Sequence, residues 1–178
     1  SLYTEMLEEA VAAIKAGRTP NLDMQLNKAI EINLRIPALI PDDYLPDVHT
    51  RLIMYKRISA AYGNDELLEL RVEMIDRFGL LPNPLKLLFR VTQLRLKAQQ
   101  YGVKKIDANI NTGRIEFNQN TDVEPLSIVQ VLQNNPQQFK LGGANQLQFT
   151  HGQSDADKKL DFINSVLDRL RLTTQELA

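Results

Sequence analysis

The spacing of apolar residues changes several times along this chain, and each change predicts a different element. From residue 2 to residue 16 apolar side chains recur at three- and four-residue steps, which predicts a helix that ends at Gly17. Residues 30–36 alternate apolar with polar side chains, as a strand with one solvent-facing side does, and Pro37 follows them. The stretch 18–28 between these elements has no period and is predicted to be a linker.

Three consecutive helices are predicted for the middle of the chain. Asp47 is a good N-cap for the first, which runs to about residue 62, and Gly63 separates it from the second. The second ends at Gly79, and the third begins near Pro84, because proline is tolerated in the first turn of a helix.

Two hairpins and two further helices are predicted after this helical centre. The hairpins cover residues 103–117, with Gly113 in the turn, and 139–149. A short helix at 126–132 lies between them, and Ser154 is a candidate cap for a last helix that ends near residue 172. Because helices cluster in the middle and hairpins follow them, this order predicts an α+β fold.

The same pattern predicts how the chain is divided. Residues 1–28 form a helix and linker, residues 29–151 form an α+β domain, and residues 152–178 form the C-terminal helix of that domain. The chain opens on Ser-Leu-Tyr while a helical pattern is already running, which suggests a piece of a longer protein.

The composition argues against several kinds of catalytic, metal and cofactor site. With 178 residues, 43% of them hydrophobic and 24% charged, the chain is typical of a globular protein. It has no Cys and only two His, and it lacks the phosphate-loop, dinucleotide-binding, nucleophile-elbow and His-Glu-x-x-His motifs. We therefore expect no catalytic residue, no metal and no cofactor. The absence of long apolar runs and of a signal peptide predicts a cytoplasmic protein without a membrane segment.

Asp42 and Asp43 are adjacent carboxylates, and such pairs can share a proton or bind a cation. An enzyme that uses Asp42 and Asp43 as catalytic residues is the alternative with the least support. A loop that caps the following helix is the favoured interpretation, since Asp is common there.

Charge is segregated along the chain. Residues 65–76 carry five acids and one base, whereas residues 77–114 carry eight bases and one acid. At 100° per residue, four acids of the second predicted helix fall within an arc of about 80°: Glu66, Glu69, Glu73 and Asp76. The opposite side is predicted to face the core: Leu67, Leu68, Leu70, Met74, Ile75 and Phe78.

The acidic edge has two interpretations. It could be a solvated face near a helix N-terminus, where carboxylates favour the helix dipole. That does not account for Glu73 and Asp76, which lie in the last turns, and like charges at these spacings repel. A basic partner would offset this cost, so these residues are candidates for partner binding.

The basic stretch supports a second hypothesis. Lys86, Arg90 and Lys97 share one face of the third predicted helix and could contact phosphates. The chain has no Trp, and Phe89 is the only aromatic residue on that helix, so base stacking has little support.

Two segments resemble a known family. Residues 34–58 (LRIPALIPDDYLPDVHTRLIMYKRI) and 70–84 (LRVEMIDRFGLLPNP) closely resemble the C-terminal domain of bacterial transcription-repair coupling factor. Residues 2–10 (LYTEMLEEA) look like the helix by which that family leaves its translocase module.

The resemblance implies a non-catalytic, autoinhibitory domain of an ATP-dependent DNA translocase that couples transcription to nucleotide excision repair. In this family the parent displaces stalled RNA polymerase and recruits the repair protein UvrA. The C-terminal domain packs on the parent's N-terminal UvrB-like domain and masks the UvrA-recruiting surface. The resemblance places Glu73 and Asp76 against arginines of that domain. The alternative is a nucleic-acid-binding appendage that holds duplex DNA near the motor.

Overall fold

The computed structural model describes residues 30–143 and 145–173, so the predicted helix at 2–16 and the linker at 18–28 lie outside it. The described residues divide into two compact units. Residues 35–96 form the first unit, and residues 30–34 together with the chain from 97 onward form the second. Helices and a mixed sheet are both present, which confirms the predicted α+β class.

The first unit contains three helices, α1 (Val48–Ser59), α2 (Asn64–Phe78) and α3 (Asn83–Gln100), the last of which continues into the second unit. Asp47 caps α1 as predicted, since its Oδ2 accepts a hydrogen bond from the Thr50 backbone N–H at 2.9 Å. Gly79 ends α2 with a φ of 103°, a conformation that glycine adopts without strain. The cap at Asp47 and the stop at Gly79 therefore located these two boundaries, whereas α1 ends at Ser59, before the predicted end near residue 62.

The proline-rich segment before α1 is fastened to the helices by two tyrosines. The Tyr55 hydroxyl of α1 accepts a hydrogen bond from the buried Ile40 N–H at 2.8 Å. The Tyr44 hydroxyl lies 2.8 Å from the Gly79 carbonyl oxygen, to which it donates. Burial raises the pKa of both hydroxyls, which further favours the protonated form that tyrosine already has at neutral pH. This segment is thereby ordered without regular secondary structure.

The second unit is built on a five-stranded sheet within the described residues. In spatial order the strands are β1 (Glu31–Asn33), β2 (Val103–Ala108), β3 (Thr112–Phe117), β5 (Gln146–Thr150) and β4 (Phe139–Leu141). Only the β1–β2 pair is parallel. Ile32, Ile106, Ile115 and Leu147 are register partners across four strands, and all are buried. This apolar row fixes the register, because a one-residue slip would expose the row.

Strand β1 is shorter than the alternation of residues 30–36 predicts. Arg35 has a φ of 54°, which ends the extended conformation before Pro37 is reached. The Leu34 carbonyl accepts a hydrogen bond from the Nζ of Lys159, a buried side chain 125 positions later in sequence, at 2.8 Å. A buried ammonium needs such an acceptor. Strand β1 therefore ends beside the Leu34 carbonyl, which accepts its hydrogen bond from a side chain distant in sequence.

Gly113 lies within β3 and not in the turn that was predicted for it. It pairs with Ala108 on one side and with Phe149 on the other. A β-carbon at Gly113 would lie 2.4 Å from Cζ of Phe149, so the aromatic ring occupies the space of a side chain. The turn comes earlier, where Asn109 Oδ1 accepts hydrogen bonds from the backbone N–H groups of Asn111 and Thr112.

Two helices complete the second unit, α4 (Pro125–Asn134) and α5 (Ala156–Arg169). Asp155 caps α5, because its Oδ2 accepts from the Lys158 N–H, so the assignment of this cap to Ser154 was wrong. The helix also ends earlier than predicted, since Leu172 forms an antiparallel bridge with Val123. None of the described helices is long and apolar enough to cross a lipid bilayer.

Candidate docking site on the outer face of α2

The four acids of the predicted edge lie on α2. The same helix also carries exposed apolar side chains, which the sequence pattern did not predict. Leu67, Leu70 and Met74 are buried and form the inner side of the helix. The outer side carries both acids and exposed apolar residues. We call residues Leu68, Glu69, Val72, Ile75 and Asp76 the mixed face of α2.

Glu73 is engaged within its own unit. The Arg57 guanidinium on α1 donates to both carboxylate oxygens of Glu73, with Nη1–Oε2 at 2.5 Å and Nη2–Oε1 at 2.9 Å. Arg77, one turn further along α2, donates to Oε2 at 3.0 Å. The Arg57 hydrogen bonds, followed by that from Arg77, lower the pKa of Glu73 from 4.5 to about 2. Glu73 is therefore ionised at every physiological pH, with two arginine partners of its own.

Glu66 also has a local role. Its Oε2 accepts a hydrogen bond at 2.8 Å from the backbone N–H of Tyr62, just before the helix begins. Carboxylates in the first turn satisfy free N–H groups and favour the helix dipole. The solvated-face interpretation of the acidic edge accounts for this residue.

Glu69 and Asp76 differ from the other two acids. Both side chains are exposed, and neither makes a hydrogen bond or ion pair with another residue that the structure describes. They lie in the middle and the last turn of α2 respectively, so they are the two carboxylates of the edge still available to a cation.

The apolar residues of α2 form two stripes, not one. Leu68 and Ile75 were predicted to face the core but are 58% and 38% exposed, and Val72 is 52% exposed. At 100° per residue, these three span an arc of about 60° that borders the acidic arc. A helical period marks residues that share a face but not which of two apolar faces is covered. A shallow groove runs along the border between the exposed apolar stripe and the acidic edge: it is lined by Leu68, Glu69, Val72, Glu73, Asp76 and Arg77.

The three basic residues proposed for nucleic-acid binding lie in different environments. Lys86 is exposed, whereas Arg90 is half-buried and has a polar or ring partner. Lys97 belongs to the second unit, where its Nζ forms an ion pair with Oδ1 of Asp168 on α5. Two of the three residues predicted to contact phosphates thus have partners within the chain, and the duplex-binding alternative stays a prediction.

Asp42 and Asp43 are exposed in a turn, and Asp47 provides the helix cap. Across residues 30–143 and 145–173, no three His, Asp or Glu side chains converge in a way that could hold a metal ion.

Comparison with known proteins places the chain in a family. The family model described as the TRCF domain matches residues 34–128, more than half of the chain. The chain therefore belongs to the TRCF domain family, and the resemblance predicted from its sequence is confirmed. The matched range includes the whole of α2 and its mixed face.

Curated relatives carry the name transcription-repair-coupling factor. The Escherichia coli (strain K12) protein is 42% identical over 96% of this chain, and the Haemophilus influenzae protein is 44% identical over 94%. The chain spans about 15% of the length of each. The fold is also similar to a solved C-terminal domain of transcription-repair coupling factor, with a TM-score of 0.63 and 24% identity over 79% of this chain and 93% of that one.

Proposed function

We propose that this chain is a regulatory docking domain of a transcription-repair coupling factor. It binds the N-terminal UvrB-like domain of its parent through the outer face of α2 and so masks the surface that recruits UvrA. The parent would be the ATP-driven DNA translocase that acts on stalled RNA polymerase. The observation that carries the proposal is that Glu69 and Asp76 lie on an exposed face of α2 and make no hydrogen bond or ion pair with another residue in the described part of the chain.

Carboxylates of this kind bind arginine side chains well. A guanidinium group donates two parallel hydrogen bonds to one carboxylate, which gives both energy and orientation. If the arginines that meet Asp76 also contribute to UvrA recruitment, the same surface cannot bind both partners at once. Release of the domain is then the switch, because the parent's two states differ in what α2 contacts.

Glu73 can contribute to this interface without giving up its present partners. A carboxylate offers about four acceptor positions, and Arg57 and Arg77 use three of them. One position remains for an incoming donor. The available energy is smaller than at Asp76, however, because two guanidinium groups already compensate the charge. We therefore assign the main recognition to Asp76 and Glu69.

The test is made in the full-length parent. The double variant Glu69→Gln, Asp76→Asn removes two charges at constant side-chain size, and Asp43→Asn is the matched control, an exposed acid outside α2. We expect the double variant to bind UvrA roughly tenfold more tightly, since loss of one partner of an interfacial charge pair costs about 2 to 5 kcal/mol when buried and less when exposed. If UvrA affinity matches wild type in both variants, masking does not depend on these carboxylates.

A further inference from the structure

Helix α4 in the second unit has the composition of a buried helix but is exposed on one side. It carries no charged residue, whereas the other described helices carry three to seven each. Half of its ten residues are Leu, Ile or Val, and a helix this apolar is typically enclosed by protein. Yet Leu126 is 54% exposed and Val129 is 40% exposed.

The lack of charge extends beyond the helix. Lys140 is the only Lys, Arg, Asp or Glu between residues 125 and 154, although 24% of the whole chain is charged. Solvent-facing surfaces normally carry mixed charges, whereas the centres of protein interfaces are depleted of them. The outer side of α4 therefore has the composition of an interface.

Four exposed residues make up this side of the helix. At 100° per residue, they fall within an arc of about 100°, and we call them the α4 patch: Leu126, Val129, Gln130 and Gln133. Two are aliphatic and two are primary amides, each of which both donates and accepts hydrogen bonds. A surface of this kind is complementary to a copy of itself, because apolar meets apolar and amide meets amide.

We propose that the α4 patch is a contact between two copies of this protein, related by a two-fold axis. In an antiparallel pair of α4 helices, the axis passes close to the middle of the patch. Val129 then lies beside Val129 of the other copy, and Leu126 of each copy faces Gln133 of the other. The proposal does not rest on the docking role of α2, which belongs to the other unit.

The absence of charge selects a second copy as the occupant. Nucleic acids and anionic lipid surfaces are bound through Lys and Arg, of which α4 has none. A charged protein surface would lose its hydration against the α4 patch and gain no counter-charge. A second copy brings the same uncharged patch, so no like charges meet and no charge is stranded.

The size of the patch sets the strength of the contact. A helix of ten residues is about 15 Å long. An interface centred on it lies below the roughly 1,200 Å² of total buried area that separates weak complexes from stable ones. We therefore expect a reversible dimer that forms at high protein concentration.

The experiment measures the mass of the 178-residue chain and of the full-length parent by sedimentation equilibrium, from about 5 µM to about 0.5 mM. The variants are Val129→Glu and Val129→Lys, studied separately and as an equimolar mixture. Glu and Lys both favour helix more than Val does, and melting temperatures check that each variant folds. Ile110→Glu and Ile110→Lys are the controls, because Ile110 is 62% exposed and lies between β2 and β3, outside α4.

We expect the wild-type chain to form dimers, and Val129→Glu or Val129→Lys alone to weaken dimerisation at least about tenfold, since each puts like charges together at the axis. The mixture should regain the wild-type affinity to within about threefold, because Glu then meets Lys. Both controls and their mixture should behave as wild type does, although they change the net charge equally.

Each other outcome overturns a defined part of the proposal. A wild-type chain that stays monomeric at about 0.5 mM has no such contact. Dimers that persist unchanged in Val129→Glu use a different surface. Failure of the mixture to restore association, with both variants folded, shows that Val129 does not meet its own copy. If the chain dimerises and the parent does not, another part of the parent covers α4, and a second copy is the wrong occupant.

Discussion

The guanidinium of Arg57 binds both carboxylate oxygens of Glu73 and so joins α1 to α2 across 16 positions of sequence. Arg77 adds a third hydrogen bond to the same carboxylate. This arrangement gives Glu73 a role in the domain's own structure in addition to the docking role that its acidic neighbours suggest. Stability and docking can therefore be separated by changing Glu73 and Asp76 individually.

We expect Glu73→Gln to lower the free energy of unfolding by about 0.5 to 1 kcal/mol, at the upper end of exposed ion pairs because the Arg57 contact is bidentate. The effect is small because the Glu73 side chain is 35% exposed and salt screens the ion pair. Asp76→Asn is the matched control and should change stability by less than about 0.5 kcal/mol. Urea unfolding of the two variants would show this difference, and equal midpoints would contradict it.

The same contact predicts a pH dependence. The hydrogen bonds from Arg57 and then Arg77 lower the pKa of Glu73 from 4.5 to about 2 in the folded state. The contribution of Glu73 to stability is therefore close to complete above about pH 4.5 and is lost as the pH falls through about 2, below which the carboxyl is protonated in both the folded and the unfolded chain. The stability difference between wild type and Glu73→Gln should shrink over this window. A difference that stays constant from pH 7 to pH 3 would show that the ion pair contributes nothing.

Removal of the buried Tyr55 hydroxyl should lower the free energy of unfolding more than removal of the Glu73 charge. Tyr55→Phe leaves the Ile40 N–H buried without its acceptor, which should cost about 1 to 3 kcal/mol. Tyr62→Phe makes the same chemical change at a side chain that is 93% exposed, so it should leave the unfolding midpoint almost unchanged. Parallel urea titrations measure both. A Tyr55→Phe variant as stable as the Tyr62→Phe control would mean that water replaces the lost acceptor.

Gly113 tests the packing of the sheet. Gly113→Ala places a methyl group where the Phe149 ring lies, so the ring must move, and we expect a loss of roughly 1 to 3 kcal/mol. At Gly152 a β-carbon meets nothing within 4 Å, so Gly152→Ala should stay within about 0.5 kcal/mol of wild type. The melting temperatures of the two variants test this prediction. Equal melting temperatures would indicate that Phe149 has free space on its other side.

Local signals in the sequence predicted most of the fold. Asp47 and Gly79 act on the backbone within a few residues, so the boundaries that depend on them were found. The end of β1 was missed because it depends on Arg35 adopting a positive φ and on Lys159 reaching the Leu34 carbonyl. Neither a hydrophobic period nor a turn residue predicts a contact between residues that lie 125 positions apart in the sequence.

The candidate site was predicted in part for the same reason. Spacing alone located the acidic edge, since four acids at helical steps must share a face. It could not show that Arg57 pairs with Glu73, nor that Leu68 and Ile75 stay exposed. Both facts depend on which side of α2 its neighbours cover, and a helical period does not contain that information.

The assignment of residues 30–34 to the second unit has a consequence for synthesis of the protein. The described part of the first unit, residues 35–96, lies between β1 and β2 in the sequence, so the ribosome completes it while β1 still lacks its partner strand. Ile106, the register partner of Ile32, emerges 74 residues after it, a delay of roughly 4 to 15 s at about 5 to 20 residues per second. During that interval the unpaired β1 segment of the nascent chain is exposed to chaperones and to mispairing, although residues 35–96 have already been synthesised.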